Sequence, residues 1–386
     1  MSDKIKVLHF SSHYEECGVS TYIENYVESM ASMPKVENTF FGVSPYETRP
    51  MSSIEMNPVI ERLEKELADY DVFHIQHEFG LYWHDQFKRL IEAANRSGKK
   101  VVVTFHLAPD IAIKPVKLGG FSPRNVIKYL REMRHRKRMK AYHTTPLQLA
   151  DAVIVHNQIT VKSLVRFGVD KDRVVIIPHP VYKTPTAKST EISARLNRKK
   201  DDVIYCISGF LHKNKGALDA VRALKYLPDN YKLALIGGVK ADSDHVNYEN
   251  MITDLADILG VKERIYITGY IKDHEKLKAL IGECDVATFP YDKIFYAKQS
   301  TGSINLAFST GRPVIAYPTE VIKEVSNDAE GAIVLCETFA YYELARELQR
   351  LNLTKQSGLS LTYAKKNAWP KAAEKLIELY ESLLKN

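Results

Sequence analysis

The sequence predicts an α/β protein of two doubly wound, Rossmann-like domains that face a central cleft, and three observations lead to this fold class. The chain has 386 residues, which is more than one hydrophobic core usually supports. Short apolar runs rich in Val and Ile alternate with segments of helical periodicity, a pattern typical of parallel sheets covered by helices on both faces. The alternation breaks off once near the middle of the chain and then starts again.

The first half of the chain contains six apolar runs that are predicted to form strands. They are Ile5–Phe10, Thr39–Val43, Asp71–Gln76, Lys100–His106, Ala152–His156 and Val174–Ile177. Helical periodicity fills the intervals, as in Ser20–Ala31, Pro58–Leu67, Gln86–Asn95 and Ile159–Phe167. Because strands and helices follow one another in turn, we expect one parallel sheet with crossover helices.

The second half repeats this pattern. Its predicted strands are Val203–Ser208, Lys232–Ile236, Arg264–Ile267, Asp285–Phe289, Pro313–Tyr317 and Ala332–Leu335. Pro178, Pro180 and Pro185, followed by polar residues, interrupt the periodicity between the two series. We therefore expect a first domain at residues 1–180, a second at 181–369, and an amphipathic helix at 370–386.

The composition indicates a cytoplasmic protein. The chain starts without a signal peptide, and no run approaches the ~20 apolar residues of a membrane span. The four cysteines, Cys17, Cys206, Cys284 and Cys336, show no CxxC spacing, which argues against a zinc site and against a disulfide framework.

One segment accounts for the net charge of the chain. Residues 121–140 hold eight basic side chains against Glu132 alone, and the whole chain carries a net charge of +7. On a helical projection Val126, Ile127, Leu130 and Met133 share one face, opposite several of the basic residues. The segment is either a solvated surface helix or a contact with an anionic membrane, where each basic residue contributes about 1 kcal/mol. A nucleic-acid partner is not expected, because no recognition motif accompanies the charge.

Ligands of doubly wound sheets bind at the C-terminal ends of strands, where helix N-termini offer free N–H groups to anions. After the first predicted strand, Gly18 opens a helix, and His13 and Glu15 in the preceding loop are placed to meet a polyhydroxylated substrate. Their alternative is an ordinary turn with solvated charges.

Histidines mark the ends of the third and fourth predicted strands. His77 and Glu78 follow one, and His106 follows the other. We expect these three side chains to converge at one edge of the sheet. His74 lies inside an apolar strand, so we expect a structural role for it.

In the second half, two strand-to-helix connections are candidate anion sites. Gly209 follows a strand, and Lys215 with Gly216 precedes a helix, which suits a diphosphate because a point charge adds to free backbone N–H groups. Gln299–Ser303 precedes the next predicted helix, at Ile304–Ser309. Its small hydroxyl residues suit either a second anion site or a plain helix cap.

The order of these blocks resembles the retaining GT-B glycosyltransferases of family 4, over essentially the whole chain. The blocks that carry the resemblance are Gln76–Gly80, Thr104–His106, Ala150–Asn157, Gly209–Gly216, Tyr266–Ile271, Ala279–Pro290 and Gly311–Ala316. The first two resemble a bacterial branch that acts on glycans and glycolipids. The segment from Trp369 resembles the family's C-terminal helix, which packs back on the first domain.

The resemblance implies transfer of a sugar from a nucleotide-sugar donor to a glycan or lipid-linked acceptor, with retention, no covalent nucleophile, no cofactor and no metal. The implied donor-binding residues are Gly209, Lys215, Gly216, Tyr270, Gln299, Ser300, Thr301, Gly302 and Ser303. His106 is the implied catalytic residue, lining the reacting centre. The implied acceptor-binding residues are His13, Glu15, Gly18, His77 and Glu78.

Three positions depart from the family pattern. Two glutamates that commonly contact the sugar and the ribose fall on Lys298 and Leu306, and the arginine of the phosphate loop is replaced by Phe210. Two other functions therefore stay open. A sugar-nucleotide epimerase of the same architecture would turn over its substrate without an acceptor, and a non-catalytic glycan- or partner-binding subunit would bind no donor.

Overall fold

The structure is a computed structural model that describes residues 4–12, 18–41, 54–82, 84–117, 120–239, 247–297 and 302–385. The chain divides into two compact units. Unit 1 comprises Met1–Pro178 and Trp369–Asn386, and unit 2 comprises His179–Ala368.

Twelve strands of the described residues form two six-stranded sheets. The strands are β1 Ile5–Phe10, β2 Val36–Phe40, β3 Val72–His77, β4 Lys100–Phe105, β5 Ala152–Val155, β6 Val174–Ile176, β7 Val203–Ser208, β8 Tyr231–Ile236, β9 Ile265–Ile267, β10 Val286–Phe289, β11 Val314–Ala316 and β12 Ile333–Leu335. Most of their residues are apolar and buried, as expected for sheets covered on both faces.

Helices separate the strands. They are α1 Gly18–Met30, α2 Met56–Glu66, α3 Gln86–Arg96, α4 Pro109–Ala112, α5 Pro123–Met139, α6 Gln158–Arg166, α7 Glu191–Arg195, α8 Ala217–Leu224, α9 Tyr248–Leu259, α10 His274–Glu283, α11 Gly302–Ser309, α12 Glu320–Asp328, α13 Tyr341–Arg350, α14 Leu353–Lys366 and α15 Trp369–Lys385. Five of them begin after an Asn, Asp, Ser or Thr whose side chain accepts a backbone N–H, for example Asn157 before α6 and Asp273 before α10.

Each unit contains a doubly wound parallel sheet, and the predicted fold class is confirmed. The strand order in unit 1 is β2-β1-β3-β4-β5-β6, and in unit 2 it is β12-β11-β10-β7-β8-β9. The direction of winding therefore reverses between β1 and β3 in unit 1 and between β7 and β10 in unit 2. Such switch points open a crevice outside the carboxyl ends of the strands, which is where ligands of these folds bind.

The second strand lies earlier in the sequence than predicted. β2 covers Val36–Phe40, whereas the apolar pattern indicated Thr39–Val43, part of which lies outside the described residues. Only Val36 of β2 is buried, so its hydrophobic signal is weak. β2 is an edge strand that pairs only with β1, and edge strands commonly face solvent with part of their surface.

The last helix packs on the unit 1 core. Trp369 is almost fully buried, and its ring makes edge contacts with Tyr22 and Tyr26 at centroid distances of 5.4 and 5.0 Å. Further along α15, the Tyr380 hydroxyl lies 2.6 Å from His74 Nδ1. The helix therefore completes the core of unit 1 although almost two hundred residues of unit 2 precede it in the chain.

Helix α5 is the exposed element of unit 1, and no residue in it is fully buried. Of the four apolar residues predicted to share one face, Ile127, Leu130 and Met133 are 67%, 60% and 38% exposed, whereas Val126 is half-buried. Half-buried residues such as Asn125, Tyr129, Glu132, Arg136 and Met139 form the inward face. Among the described residues no helix is both long and apolar enough to cross a bilayer.

Replacing Trp369 with Ala is expected to destabilise the protein by about 3–5 kcal/mol, because the change removes a buried aromatic side chain from the core of unit 1. Chemical denaturation followed by circular dichroism measures the effect. Leu384→Ala, on the same helix at a 40% exposed position, is the control and should change stability by no more than about 0.5 kcal/mol. Equal effects of the two substitutions would contradict the packing of α15 described above.

Candidate active site

The first candidate site lies at the switch point of unit 2, in the connection between β7 and α8. Gly209 follows β7 with φ +94°, residues Lys213–Lys215 form a 3-10 turn, and Gly216 precedes α8 with φ +74°. A backbone hydrogen bond from Asp292 N to Asn214 O, at 2.9 Å, joins this loop to the segment after β10. The two sides of the switch point are therefore tied together.

Glycines allow the loops at this edge to approach one another closely. A Cβ on Gly216 would lie 1.9 Å from the carbonyl oxygen of Pro290, and one on Gly237, which follows β8, would lie 2.2 Å from the carbonyl oxygen of Gly209. Both glycines have positive φ, which disfavours every other L-residue. This packing leaves backbone, rather than side chains, facing the crevice.

Lys215 places its ammonium group inside this loop cluster. The residue is 7% exposed, and Nζ donates hydrogen bonds to the Ser208 carbonyl oxygen at 3.1 Å and to Ser303 Oγ at 3.3 Å. Nζ also lies 5.9 Å from the centroid of the Tyr291 ring. Burial lowers the pKa of Lys215 to about 8, because desolvation disfavours the charged form.

No carboxylate neutralises this ammonium group among the residues that the structure describes. Its two hydrogen-bond acceptors are neutral oxygens, and the only aromatic contact is the Tyr291 face. The nearby Ser208 hydroxyl is buried and also lacks a hydrogen-bond partner within the described ranges. A buried cation next to an unsatisfied hydroxyl is suited to an anion that would accept from both.

The start of α11 supplies the second part of this site. Ser303 binds Lys215 directly, and a Cβ on Gly302 would come within 3.4 Å of the Tyr182 hydroxyl. The predicted donor residues Gln299, Ser300 and Thr301 lie outside the described residues, as does Lys298. Leu306 is buried in the core of unit 2, where the family pattern has a glutamate that contacts the ribose.

Tyr270 lies beside the loop cluster and is half exposed. Its ring stacks on Phe210, with centroids 5.4 Å apart and planes inclined by 13°. The backbone next to it is also tight, since a Cβ on Gly238 would lie 2.7 Å from Tyr270 N. The structure thus brings Gly209, Lys215, Gly216, Ser303 and Tyr270 to one edge of the unit 2 sheet.

The second candidate site lies at the edge of unit 1, around His106. Its Nε2 lies 3.0 Å from Gln76 Oε1, and its Nδ1 lies 3.1 Å from His156 Nε2. His156 Nδ1 donates to the Ile177 carbonyl oxygen at 3.0 Å, and the Tyr22 ring meets His106 edge-on at 4.8 Å. The His106 ring is therefore held from three sides while part of it stays exposed.

His77 is a core residue in the structure. Its ring is fully buried and stacks on Phe105 at 4.2 Å with planes inclined by 5°, and Nε2 lies 3.0 Å from His143 Nδ1. Burial lowers the pKa of His77 well below its ordinary value. His74 has the structural role expected for it, buried between Tyr380 and Thr104.

Two of the remaining predicted acceptor residues, Glu78 and Gly18, lie within the described residues. The Glu78 carboxylate accepts a hydrogen bond from Gly80 N at 2.6 Å and so closes the turn after β3. Gly18 is the exposed first residue of α1, with open space where a Cβ would stand. His13 and Glu15 lie outside the described residues. Acceptor binding by these residues stays a prediction.

Sequence reasoning missed Gln76, His156, Ser208 and the Gly237-Gly238 pair. The rule that selected His106 also applies to His156, which directly follows β5. Successive side chains of a strand point to opposite faces of the sheet, and this rule would have placed His77 and His106 on opposite faces. β3 and β4 pair Gln76 with Thr104 and His77 with Phe105, so His106 shares its face of the sheet with Gln76, whereas His77 points the other way.

Two Rossmann-like units, one with a buried lysine at its switch point, define a protein of the GT-B glycosyltransferase fold. The model of the family described as glycosyl transferases group 1 matches residues 188–381, and the chain belongs to this family. A second model, described as glycosyltransferase family 4, matches residues 19–183.

One curated relative is the D-inositol 3-phosphate glycosyltransferase of Xylanimonas cellulosilytica, with 25% identity over 197 residues. The match covers 48% of this chain and 45% of the relative, so the chain spans about half the length of the curated relative it matches.

Solved structures share the fold over nearly the whole chain. HepE of Anabaena in complex with UDP has a TM-score of 0.70 at 14% identity, covering 98% of this chain and 100% of that one. A glycosyltransferase from Rickettsia africae has a TM-score of 0.70 at 14% identity, with 100% of both chains covered. Sucrose-phosphate synthase from Thermosynechococcus elongatus has a TM-score of 0.68 at 16% identity, covering 98% and 99%. At these identities the likeness establishes the fold.

Substituting Gly237 with Ala is expected to destabilise unit 2 by about 1–3 kcal/mol, because the new Cβ would meet the Gly209 carbonyl oxygen and the backbone would be strained. Thermal unfolding followed by circular dichroism measures the loss. Gly358→Ala is the matched control: its Cβ would meet nothing within 4 Å in helix α14, so that variant should gain up to about 1 kcal/mol from helix propensity. Indistinguishable melting of the two variants would refute the close approach of these loops.

Proposed function

We propose that this protein is a retaining glycosyltransferase of the family 4 type that moves a sugar from a nucleotide-sugar donor to a glycan or glycolipid acceptor. The observation that carries the proposal is the buried Lys215 ammonium at the switch point of unit 2, which has no carboxylate partner among the described residues. A nucleotide sugar presents a diphosphate, the anion that such a site fits.

Lys215 also fits the chemistry of sugar transfer. As the bond between the sugar and the diphosphate breaks, negative charge develops on the departing diphosphate. A preorganised ammonium group in a desolvated site stabilises that charge more strongly than water does. Because Lys215 supplies the positive charge, the proposed reaction needs no metal ion and no other cofactor. The similarity to HepE, whose structure holds UDP, supports a uridine nucleotide as the first donor to test.

The proposed acceptor side is the edge of unit 1 that contains His106. Its imidazole is partly exposed and is positioned by Gln76 and His156, so it can contact a sugar hydroxyl at a fixed position. We propose that His106 lines the reacting centre and acts on the transferred group. Retention and the absence of a covalent nucleophile rest on the resemblance to family 4.

Lys215→Ala is expected to weaken binding of a nucleotide sugar at least about ten-fold, because it removes a charge-assisted hydrogen bond worth roughly 1.5–3 kcal/mol. Binding of the free nucleoside should change little. Calorimetry with UDP-glucose and uridine measures both affinities. Lys213→Ala is the control, since Lys213 lies two residues away in the same turn but is exposed.

The pH dependence provides a second readout of the same residue. Since the pKa of Lys215 is lowered to about 8, the ammonium is lost as the pH rises through that value. Donor affinity of the unmodified protein should therefore fall about ten-fold between pH 7 and pH 9, and the Lys215→Ala variant should not share this fall. In the calorimetry experiment, equal losses of affinity for uridine and for UDP-glucose in the Lys215→Ala variant would show that Lys215 does not face the diphosphate.

His106→Ala is expected to lower turnover at least about ten-fold, because loss of an interaction made mainly in the transition state lowers the rate constant. Donor affinity should stay nearly unchanged, because the proposed donor cradle, which comprises Gly209, Lys215, Gly216 and Ser303, belongs to unit 2. Steady-state transfer kinetics and donor calorimetry separate the two quantities. The exposed His274→Ala serves as control. Unchanged turnover in the His106 variant would remove His106 from the reacting centre. Turnover of the donor without any acceptor would indicate an epimerase instead.

We further propose that the protein works in the cytoplasm at the inner face of a membrane, with residues 121–140 against anionic lipids. Apart from Lys128, which lies 3.9 Å from Glu132, none of the basic residues of this segment pairs with an acid among the described residues. Uncompensated positive charge beside the exposed Phe121, Ile127 and Leu130 is suited to an interfacial helix on an anionic bilayer.

Changing the exposed residues Arg131, Arg134, Lys137 and Arg138 together to Gln should weaken binding to anionic vesicles by at most about 4 kcal/mol, and by less at high salt. Vesicle co-sedimentation across a salt series measures the effect. The control removes the same charge from unit 2 by changing exposed lysines to Gln: Lys200, Lys225, Lys323 and Lys355. Vesicle binding as strong as that of the unmodified protein would show that α5 is only a solvated helix.

A further inference from the structure

A cavity of about 360 Å³ lies in unit 1 between helix α5 and the segment that follows α4. Glu132, His135, Arg136 and Met139 of α5 line one side, and the stretch from Ala112 to Val116 lines the other. Neither the donor cradle nor the surroundings of His106 include these residues. The cavity is therefore separate from both candidate sites described above.

The lining of the cavity carries unneutralised positive charge. Lys114 and Arg136 contribute two cations, and within the described part of the chain neither one forms an ion pair. Arg136 Nε is shielded from solvent and has no hydrogen-bond partner among the described residues. The single acid, Glu132, has its nearest cation in Lys128, 3.9 Å away. A guanidinium group with free donors binds phosphate through paired hydrogen bonds.

The rest of the lining is apolar. Ile113 is 2% exposed, and Val116 and Met139 are half-buried side chains of the same cavity. A sugar phosphate would leave this wall without a partner, whereas a hydrocarbon chain gains about 0.8 kcal/mol per buried methylene group. The combination of basic and apolar lining selects an amphiphile with a phosphate group.

The position of the cavity connects it to the two features proposed above. Ala112 is six residues from His106, so their backbones are at most about 22 Å apart even in a fully extended chain. Helix α5, which forms one wall, carries Ile127 and Leu130 exposed on its other face. A lipid that leaves a bilayer along α5 would therefore meet the cavity close to the edge of unit 1 that contains His106.

We propose that this cavity binds the phosphate group of a lipid, with Lys114 and Arg136 on the phosphate and Ile113, Val116 and Met139 along the hydrocarbon chain. The inference rests on the proposed function in one respect: under that function the lipid is the carrier of the acceptor glycan. The cavity then fixes the carrier phosphate while the glycan end extends toward His106.

Calorimetry with dihexanoyl phosphatidic acid below its critical micelle concentration tests binding without a bilayer. The unmodified protein should bind it at least about ten-fold more tightly than inorganic phosphate, because the chains add apolar contact. Arg136→Gln and, separately, the exposed Lys114→Gln should each lower this affinity about ten-fold. Lys117→Gln, at an exposed lysine that lies close to Lys114 in sequence but does not line the cavity, should leave it unchanged.

Equal affinities for inorganic phosphate and the lipid would overturn the proposal. Equal losses of lipid affinity in the Arg136→Gln and Lys117→Gln variants would also overturn it, because either result describes a non-specific basic surface. Two variants of the cavity lining, Arg136→Gln and Lys114→Gln, are measured separately. Because Lys114 is exposed, its substitution is expected to leave the fold intact even if Arg136→Gln does not.

A transfer assay with a lipid-linked acceptor then identifies the source of the lipid. Dihexanoyl phosphatidic acid should raise the KM for that acceptor several-fold without affecting a soluble acceptor. An unchanged KM would assign the cavity to bilayer phospholipid and overturn the carrier assignment. If the unmodified protein binds the lipid but turns over no nucleotide sugar, the proposed function is contradicted instead. Failure of the cavity proposal and failure of the proposed function are therefore distinguishable.

Discussion

The proposed donor site in unit 2 depends on one lysine ammonium group that is buried without a carboxylate partner among the described residues. Burial opposes the charge of Lys215 and lowers its pKa to about 8, and only neutral oxygens and a tyrosine face surround it. Gly209 leaves room for the Lys215 ammonium group, since a Cβ there would lie 2.5 Å from Nζ, and Gly216 and Gly237 let neighbouring loops approach closely. An anion bound there would restore the favourable electrostatics that folding removes, so an unfavourable local feature becomes a source of binding free energy.

Unit 1 has a different arrangement, in which histidine side chains form hydrogen bonds with other side chains inside the core. His74 and His77 are buried, and burial lowers the pKa of both well below the ordinary value, so they contribute neutral hydrogen bonds to the core. Gln76 and His156 connect that interior to His106. The result is one partly exposed imidazole in a fixed orientation, which is the condition a group needs to act on a bound sugar at a defined position.

The sequence predicted the features that depend on periodicity and on strand ends. Alternating apolar and helical segments indicated both parallel sheets, and the strand-end rule located Lys215, Gly209 and His106. It failed where the direction of a side chain decides: His77 also ends a strand, but it points into an aromatic core. At α5 the helical projection grouped Ile127 and Leu130 on one face but did not indicate whether that face points inward. In the structure both residues are exposed, because the helix packs through half-buried residues such as Tyr129 and Arg136.

The proposed function requires that Lys215 is a desolvated cation that binds a diphosphate. Its pKa can be measured directly by following the ¹³Cε chemical shift of Lys215 against pH, with Lys215→Ala to assign the signal. The pKa of Lys215 is expected to be about 8 in the free protein. It should rise clearly when UDP is bound, and uridine should leave it unchanged. A pKa near the ordinary 10.5 of lysine, or a value that UDP leaves unchanged, would contradict this requirement.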